Sequence, residues 1–366
     1  MHIKIHDLLA EVLRSGASDL HLGVGHLPCF RIDGDLHPVA GLPSLAQEDV
    51  EQAISDILLP EQMASNRQSR EYDFSFTYHS PSGEEARFRG NCFFESGNMT
   101  LALRLIPMRI RPIEELGLPR CLIEVTDQRR GLFLVTGPTG HGKTTTLAAL
   151  IDEINRKRRD HVVTIEDPVE YVYKSQKSII HQRQVGIDTR SFAEALRRVL
   201  RQDPDVILIG EMRDLETVSS AITAAETGHL VFATLHTQDA AQSIDRIIDV
   251  FPPHQQQQIR IQLSAVLVGI CSQQLIPRPG GGRVVGTEIL FANPAVRNCI
   301  KEGKTNQIKT LIQTGANSGM HTMEQCLADK VNEGLLPMDT AMAYAYDPKD
   351  LQRILFGQNC RKTRAG

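Results

Sequence analysis

The densest chemical signal in the chain is a glycine-rich run, Gly137-Pro138-Thr139-Gly140-His141-Gly142-Lys143-Thr144. It fits GxxxxGK[ST] at every fixed position and sits between an apolar run and a helix-forming one, where a phosphate-binding loop must be. The glycines let successive backbone N–H groups turn inward around phosphate oxygens. A helix starting near Lys143 aims the positive end of its dipole at the same anion. Lys143 would reach the β- and γ-phosphates of ATP, and the Thr144 hydroxyl would ligate Mg²⁺. Thr145, next in the helix, is counted with the loop as ATP-binding. A chance glycine-rich turn would lack this strand–loop–helix context.

Three further segments carry candidate chemistry. Val206-Ile207-Leu208-Ile209-Gly210-Glu211 has the Walker B form, but Gly210 stands where an Asp usually orders the metal. That leaves Glu211 as the acid at the strand's C-terminal end, where open α/β sheets bind ligands. Glu211 is therefore the candidate for orienting or deprotonating the attacking water. Thr164-Ile165-Glu166-Asp167-Pro168 ends another apolar strand, and Pro168 enforces an extended exit. Glu166 could then take over the positioning of Mg²⁺, directly or through water. Alone, Glu-Asp-Pro is more often a capping turn, but its place between the other motifs favours a site. His229 and His236 bracket a fourth apolar run, and the six residues between them span about 20 Å, too far to share one metal ion. Either could contact nucleotide or relay its state, and His229 is placed in the ATP-binding set. A lone histidine is otherwise commonly a hydrogen-bonded structural residue.

Positioning these groups takes more than one ordinary domain, and 366 residues allow two. Hydrophobic residues at 41% permit a large core, while 40 Lys+Arg against 44 Asp+Glu argue against a general polyanion binder, so no direct nucleic-acid partner is expected. The 7 cysteines are scattered without a CxxC pair, which suggests neither a zinc ribbon nor a redox dithiol. The start of the chain has no apolar signal core. The longest strongly apolar stretch, Leu263 to Cys271, is far short of the ~20 residues a membrane helix needs, so no membrane insertion is expected.

Residues 1–106 read as a small α+β domain. Strands are expected over 18–25, 28–39 (bent at Asp33-Gly34), 71–78, 86–95 and 99–106, with a helix over 46–59 capped by Ser44. Residues 107–113, with two prolines, read as a linker. From 114 to 350 strands alternate with helices, the pattern of a mainly parallel sheet covered on both faces. The strands are 131–136, 161–166, 206–210, 230–235 and 283–290; the helices are 143–156, 191–202, 215–225 and most of the chain after 290. Residues 351–366 carry little core signal and are expected to fray.

With these segments in this order, the chain resembles the secretion ATPases, and most closely the type IV pilus retraction ATPases. Glu166-Asp-Pro-Val-Glu-Tyr is similar to their Asp box, Gly210-Glu-Met-Arg-Asp-Leu-Glu-Thr to their Walker B region, and Ala224-Ala-Glu-Thr-Gly-His-Leu-Val-Phe to their His box. The likeness runs from Gly16-Ala-Ser-Asp-Leu-His to Gly319-Met-His-Thr-Met-Glu. It implies a PAS-like N-terminal domain joined to a RecA-like P-loop ATPase domain, assembled as a homohexamer. It also implies a cytoplasmic motor, peripheral at the inner membrane, acting on a platform protein, with an accessory retraction ATPase as a further partner. Ala295, Val296, Arg297, Asn298, Cys299, Ile300, Lys301 and Glu302 match the helical segment this family needs for retraction. From the residues alone this is an amphipathic helix started by Asn293-Pro294, with Val296, Cys299 and Ile300 on one face and Arg297, Asn298, Lys301 and Glu302 on the other.

The resemblance also implies that Arg89 and Arg104 of the first domain serve the nucleotide site, from the same or an adjacent subunit. A guanidinium near the γ-phosphate typically accelerates transfer by roughly 10³ to 10⁵. ATP would then close the two domains about the Pro107–Pro112 hinge. Extension-type relatives carry a four-cysteine zinc insertion, which this chain lacks. His141 departs from the family's usual Ser, at a position expected to contribute mainly its backbone N–H. The rival readings are a type IV secretion ATPase moving protein or DNA, a nucleotide-binding regulator without useful turnover, and a small-molecule P-loop kinase.

Overall fold

The computed structural model describes residues 4–32, 34–80, 83–106 and 109–362, with side chains to residue 357. The chain divides into two compact units, Met1–Arg109 with Pro168–Val172, and Ile110–Asp167 with Tyr173–Gly366. The division falls inside the stretch expected to be a linker. Pro107 and Met108 of that linker, and Asp33, Pro81 and Ser82 of the expected turns, lie outside the described residues.

The first unit runs α1 (Ile5–Ser15), β1 (Asp19–Leu22), β2 (Cys29–Ile32), β3 (Asp35–Pro38), α2 (Gln47–Ser55), α3 (Pro60–Ser69), β4 (Glu71–His79), β5 (Glu85–Glu95) and β6 (Asn98–Ile106). Its strands form one antiparallel sheet in the order β3-β2-β1-β6-β5-β4. Period-two alternation sets its faces. Leu20 and Leu22, Phe88 and Cys92, and Leu101 and Leu103 are buried in the core. Gly90 faces the same way because the Phe74 ring takes its space; a Cβ there would lie 2.3 Å from Phe74 Cζ. On the other face Arg89 and Arg104 are direct cross-strand partners, and Asp19 pairs with Arg104 from the far side.

Two helices of this unit escaped the sequence reading. In α1 the buried residues Ile5, Leu8, Leu9 and Val12 follow a clear helical period, whereas α3 buries only Asn66 and offers no such period. Ser44 is not the cap of α2. That helix starts at Gln47, and the Asp49 carboxylate accepts the Ala46 N–H at 3.0 Å.

The second unit contains α4 (Cys121–Val125), β7 (Gly131–Thr136), α5 (Lys143–Lys157), β8 (His161–Glu166), β9 (Ile179–Gln184), α6 (Phe192–Val199), β10 (Val206–Ile209), α7 (Leu215–Glu226), β11 (Leu230–Leu235), α8 (Ala240–Asp249), α9 (Pro253–Val266), β12 (Leu267–Pro277) and β13 (Arg283–Phe291). It ends with α10 (Pro294–Glu302), α11 (Ile308–Thr314), α12 (Met323–Asn332), α13 (Met338–Tyr344) and α14 (Pro348–Lys362). The sheet order is β13-β12-β7-β11-β10-β8-β9, parallel except for the β12–β13 pair. Its central strands β7, β10 and β11 are buried at every residue, as a sheet covered on both faces requires.

The apolar stretch Leu263–Cys271 divides between the end of α9 and the start of β12. The tail expected to fray from residue 351 is instead helical to Lys362, with Leu351 and Leu355 buried against α12 and α13 residues such as Leu327 and Ala341. Two leucines four apart are enough to dock one helical face, too short a signal to read as periodicity.

Candidate active site

The parallel strands β7, β11, β10 and β8 lie side by side, so their C-terminal ends share one edge of the sheet. At the end of β7 the chain enters the glycine-rich loop. Gly137 has φ +138°, and a Cβ on it would stand 2.2 Å from the Gln273 carbonyl oxygen, so only glycine lets the loop pass β12. The Lys143 side chain is buried, and its Nζ donates to the carbonyls of Gly137 at 2.8 Å and Pro138 at 2.9 Å. Phosphate oxygens entering the loop would take over these donor contacts. Thr144 and Thr145 sit half-buried in the first turn of α5, which carries no acidic residue to oppose an anion.

Beyond β10 the backbone is fixed on both sides. Gly210 N donates to Ile165 O, and Met212 N donates to Thr234 O. Thr234 Oγ1 donates to Gly210 O at 2.5 Å. Glu211, held between these bonds, accepts from Arg213 Nε at 2.6 Å and stands 3.0 Å from His236 Nε2 at the same oxygen. Burial alone pushes its carboxyl up, but Arg213 and His236 outweigh this and hold it below the ordinary glutamate value. Glu211 is thus ionised.

The β7–β11 register pairs Leu235 with Thr136, so His236 lands beside the loop. Its Nδ1 lies 3.2 Å from Thr139 Oγ1 and 3.5 Å from Lys143 Nζ. An ammonium can only donate, so Nδ1 accepts and the Nε2 proton faces Glu211. One imidazole therefore spans from the phosphate loop to the candidate catalytic carboxylate.

Glu166 is buried at the end of β8, 4% exposed, and its Oε1 accepts from Thr164 Oγ1 at 2.6 Å and from Gln182 Nε2 at 3.2 Å. Gly210 explains itself here: a Cβ would approach Glu166 Cα and the Ile165 carbonyl oxygen at 3.3 Å. The Walker B strand carries glycine because the Glu166 backbone fills the place of a side chain.

Within one chain, His229, placed in the ATP-binding set from the sequence, lies away from these residues. It precedes β11 at the opposite end of the sheet, where its carbonyl accepts from Gly131 N and its Nδ1 faces the Ala224 carbonyl at 2.9 Å. Strand direction, which histidine spacing alone does not supply, makes His236 the residue at the loop. Arg213 was also missed; its signal was a cation two residues after the acid. In the first unit Arg104 Nε donates to Asp19 Oδ1 at 2.8 Å, which with Ser18 outweighs burial and lowers the Asp19 pKa. Arg89 lies across the strand from Arg104 and 3.9 Å from Glu170.

In α10 the expected apolar face is buried through Val296, Cys299 and Ile300, and Asn293 caps the helix by accepting the Val296 N–H at 2.9 Å. Arg297 does not stand out with Asn298, Lys301 and Glu302. Its guanidinium donates to the carbonyls of Ser264, Ala265 at 2.8 Å and Leu267 at 3.0 Å, closing the C-terminus of α9.

Residues 1–341 match the family described as Type II/IV secretion system protein. The type IV pilus retractation ATPase PilT of Pseudomonas aeruginosa is 46% identical over 346 residues, 94% of this chain and 99% of that protein. A twitching motility protein of Neisseria gonorrhoeae is 45% identical over 325 residues, 88% of this chain and 86% of that one. The crystal structure of the pilus retraction motor PilT with bound ADP matches with a TM-score of 0.89 at 47% identity, covering 96% of this chain and 99% of that chain. The likeness accords with a RecA-like α/β second unit and an antiparallel α+β first unit.

Proposed function

The chain belongs to the type II/IV secretion system protein family, and from that premise we propose that it is an ATP-hydrolysing motor of the pilus-retraction class. The observation that carries the chemistry is the bridge from Thr139 through His236 to an ionised Glu211. Identity over nearly the full length of a retraction ATPase supports the choice of retraction over secretion.

In this reading the backbone N–H groups of Thr139 to Lys143 cradle the phosphates, and the Lys143 ammonium neutralises the β- and γ-oxygens. Thr144, with Glu166 directly or through water, would hold a magnesium ion that offsets phosphate charge. Glu211, its pKa lowered, is a weak base, so its main work is to accept from the attacking water and aim it at the γ-phosphorus. His236 senses the loop on one ring nitrogen and holds Glu211 on the other. A regulator without turnover would have little use for an ionised carboxylate in this place.

The larger assembly is part of the same proposal: six copies in a ring, cytoplasmic and peripheral at the inner membrane, acting on a platform protein. Arg89 and Arg104 are assigned to nucleotide, in this chain or an adjacent copy. Among the described residues no helix is long and apolar enough to cross a membrane. Deleting the gene and scoring surface pili and twitching tests the assignment. More pili without motility supports retraction; normal pili with a lost secretion phenotype supports the secretion rival.

A further inference from the structure

We propose that the His141 imidazole is a positioning residue of the phosphate loop, fastening it to β12 so that nucleotide affinity depends on an unprotonated ring nitrogen. The proposal rests on the ATPase reading above and adds a role for a side chain expected to act through its backbone alone.

The reason lies in unequal strand lengths. Pairing of β7 with β12 stops at Thr136 and Ser272, yet β12 continues to Pro277. Past that point the polar backbone of β12 on the β7 side needs partners other than a strand. The loop supplies them. Leu275 N donates to His141 Nδ1 at 3.0 Å, and the buried Gln273 donates through Nε2 to the His141 carbonyl at 2.7 Å. Thr146 Oγ1, one turn into α5, donates to Gln273 Oε1 at 2.8 Å. Loop, strand and helix start are therefore tied by three bonds, and one of them uses the imidazole lone pair.

That bond sets the tautomer. Because Nδ1 accepts, the ring is neutral and its proton sits on Nε2. Burial, with the positive charges of Lys143 on α5 and Arg283 at the start of β13, holds His141 below the ordinary histidine value. Gln273 and Leu275, its neighbours on β12, bring no charge. Protonation would set an N–H against the Leu275 N–H and release the loop from the strand. The backbone N–H groups that receive phosphate would lose their fixed orientation.

The test compares wild type, His141→Ala and His141→Asn. Asparagine places Oδ1 where histidine has Nδ1, so it can accept from Leu275 but cannot titrate. KM for ATP is measured from about pH 8 to about pH 5, a range that covers the ordinary histidine value and extends to the acid side, where burial and the two cations place His141. At the alkaline end His141→Ala should raise KM about three- to tenfold, the scale of one hydrogen bond, and His141→Asn should recover most of that loss. Toward acid, wild-type KM should climb relative to His141→Asn.

An alanine variant with wild-type KM at the alkaline end, or parallel wild-type and asparagine profiles, overturns the proposal. If no variant hydrolyses ATP, the ATPase reading fails instead, and calorimetric ADP binding by the same three proteins decides the His141 role by the same ratios. If wild type binds no nucleotide either, both readings fall.

Discussion

Glu211 Oε1 and His236 Nε2 stand 3.0 Å apart across the ends of β10 and β11, with Arg213 on the same carboxylate oxygen at 2.6 Å. The contact joins the Walker B acid to the phosphate loop through a single ring, because His236 also touches Thr139. It follows from parallel pairing: β10 and β11 are neighbours in register, so residues just past their ends face each other. A shift of either strand would separate them.

Removing Arg213 should change the pH dependence of turnover. Arg213 and His236 together hold the Glu211 carboxyl below its ordinary value, against burial. Arg213→Ala leaves burial less opposed, so the carboxyl takes up its proton at higher pH. In the proposed role Glu211 orients water only when ionised, so the acidic limb of the kcat/KM profile should move to higher pH. A limb that stays in place would mean Arg213 has already left Glu211 in the working enzyme.

How much of this was legible before the fold? The loop Gly137–Thr144 was, because its spacing and flanking pattern both reflect the physics of cradling phosphate. Glu211 was legible by elimination once Gly210 took the usual acid position. The reason for Gly210, a close approach by the Glu166 backbone, needs the neighbouring strand and cannot be read from one segment. His229 and His236 were indistinguishable because spacing does not say which end of β11 meets the loop. The His141 bond to Leu275 joins residues 134 positions apart, beyond the reach of local pattern.

A buried acid on the strand next to β12 gives a stability prediction. Glu288 is buried on β13, where it accepts the Ala240 N–H at 2.9 Å, and burial pushes its pKa up to about 7. The unfolded chain loses this proton near the ordinary value, so between that value and about pH 7 the folded state binds more protons. Stability therefore falls as pH rises through this window and levels off above it. Glu288→Gln keeps the acceptor without the charge. Its urea midpoint should exceed wild type at about pH 8, by a free energy on the order of 2–3 kcal/mol, and the gain should vanish toward about pH 5. Equal gains at both ends would mean that ionisation is not the cost.

Arg297 offers a structural test of how α10 is held. Its fork ties α10 to the carbonyls that close α9. Losing these charge-assisted bonds should cost about 2 kcal/mol, read as a lower thermal midpoint for Arg297→Ala. Lysine should restore little, because one ammonium cannot match the planar fork. The exposed Lys301, changed to alanine, should move stability by less than about 0.5 kcal/mol. Equal effects at 297 and 301 would show that the fork does not hold the helix.

The most direct test of the account is phosphate release by Glu211→Gln beside direct measurement of its ATP binding. Glutamine keeps the size of the side chain and removes the charge that orients water. The variant should bind ATP with near wild-type affinity while turnover falls about 100-fold or more, the scale of a lost general acid–base group. Hydrolysis by Glu211→Gln at the wild-type rate would contradict the proposed role of this carboxylate and the motor mechanism built on it.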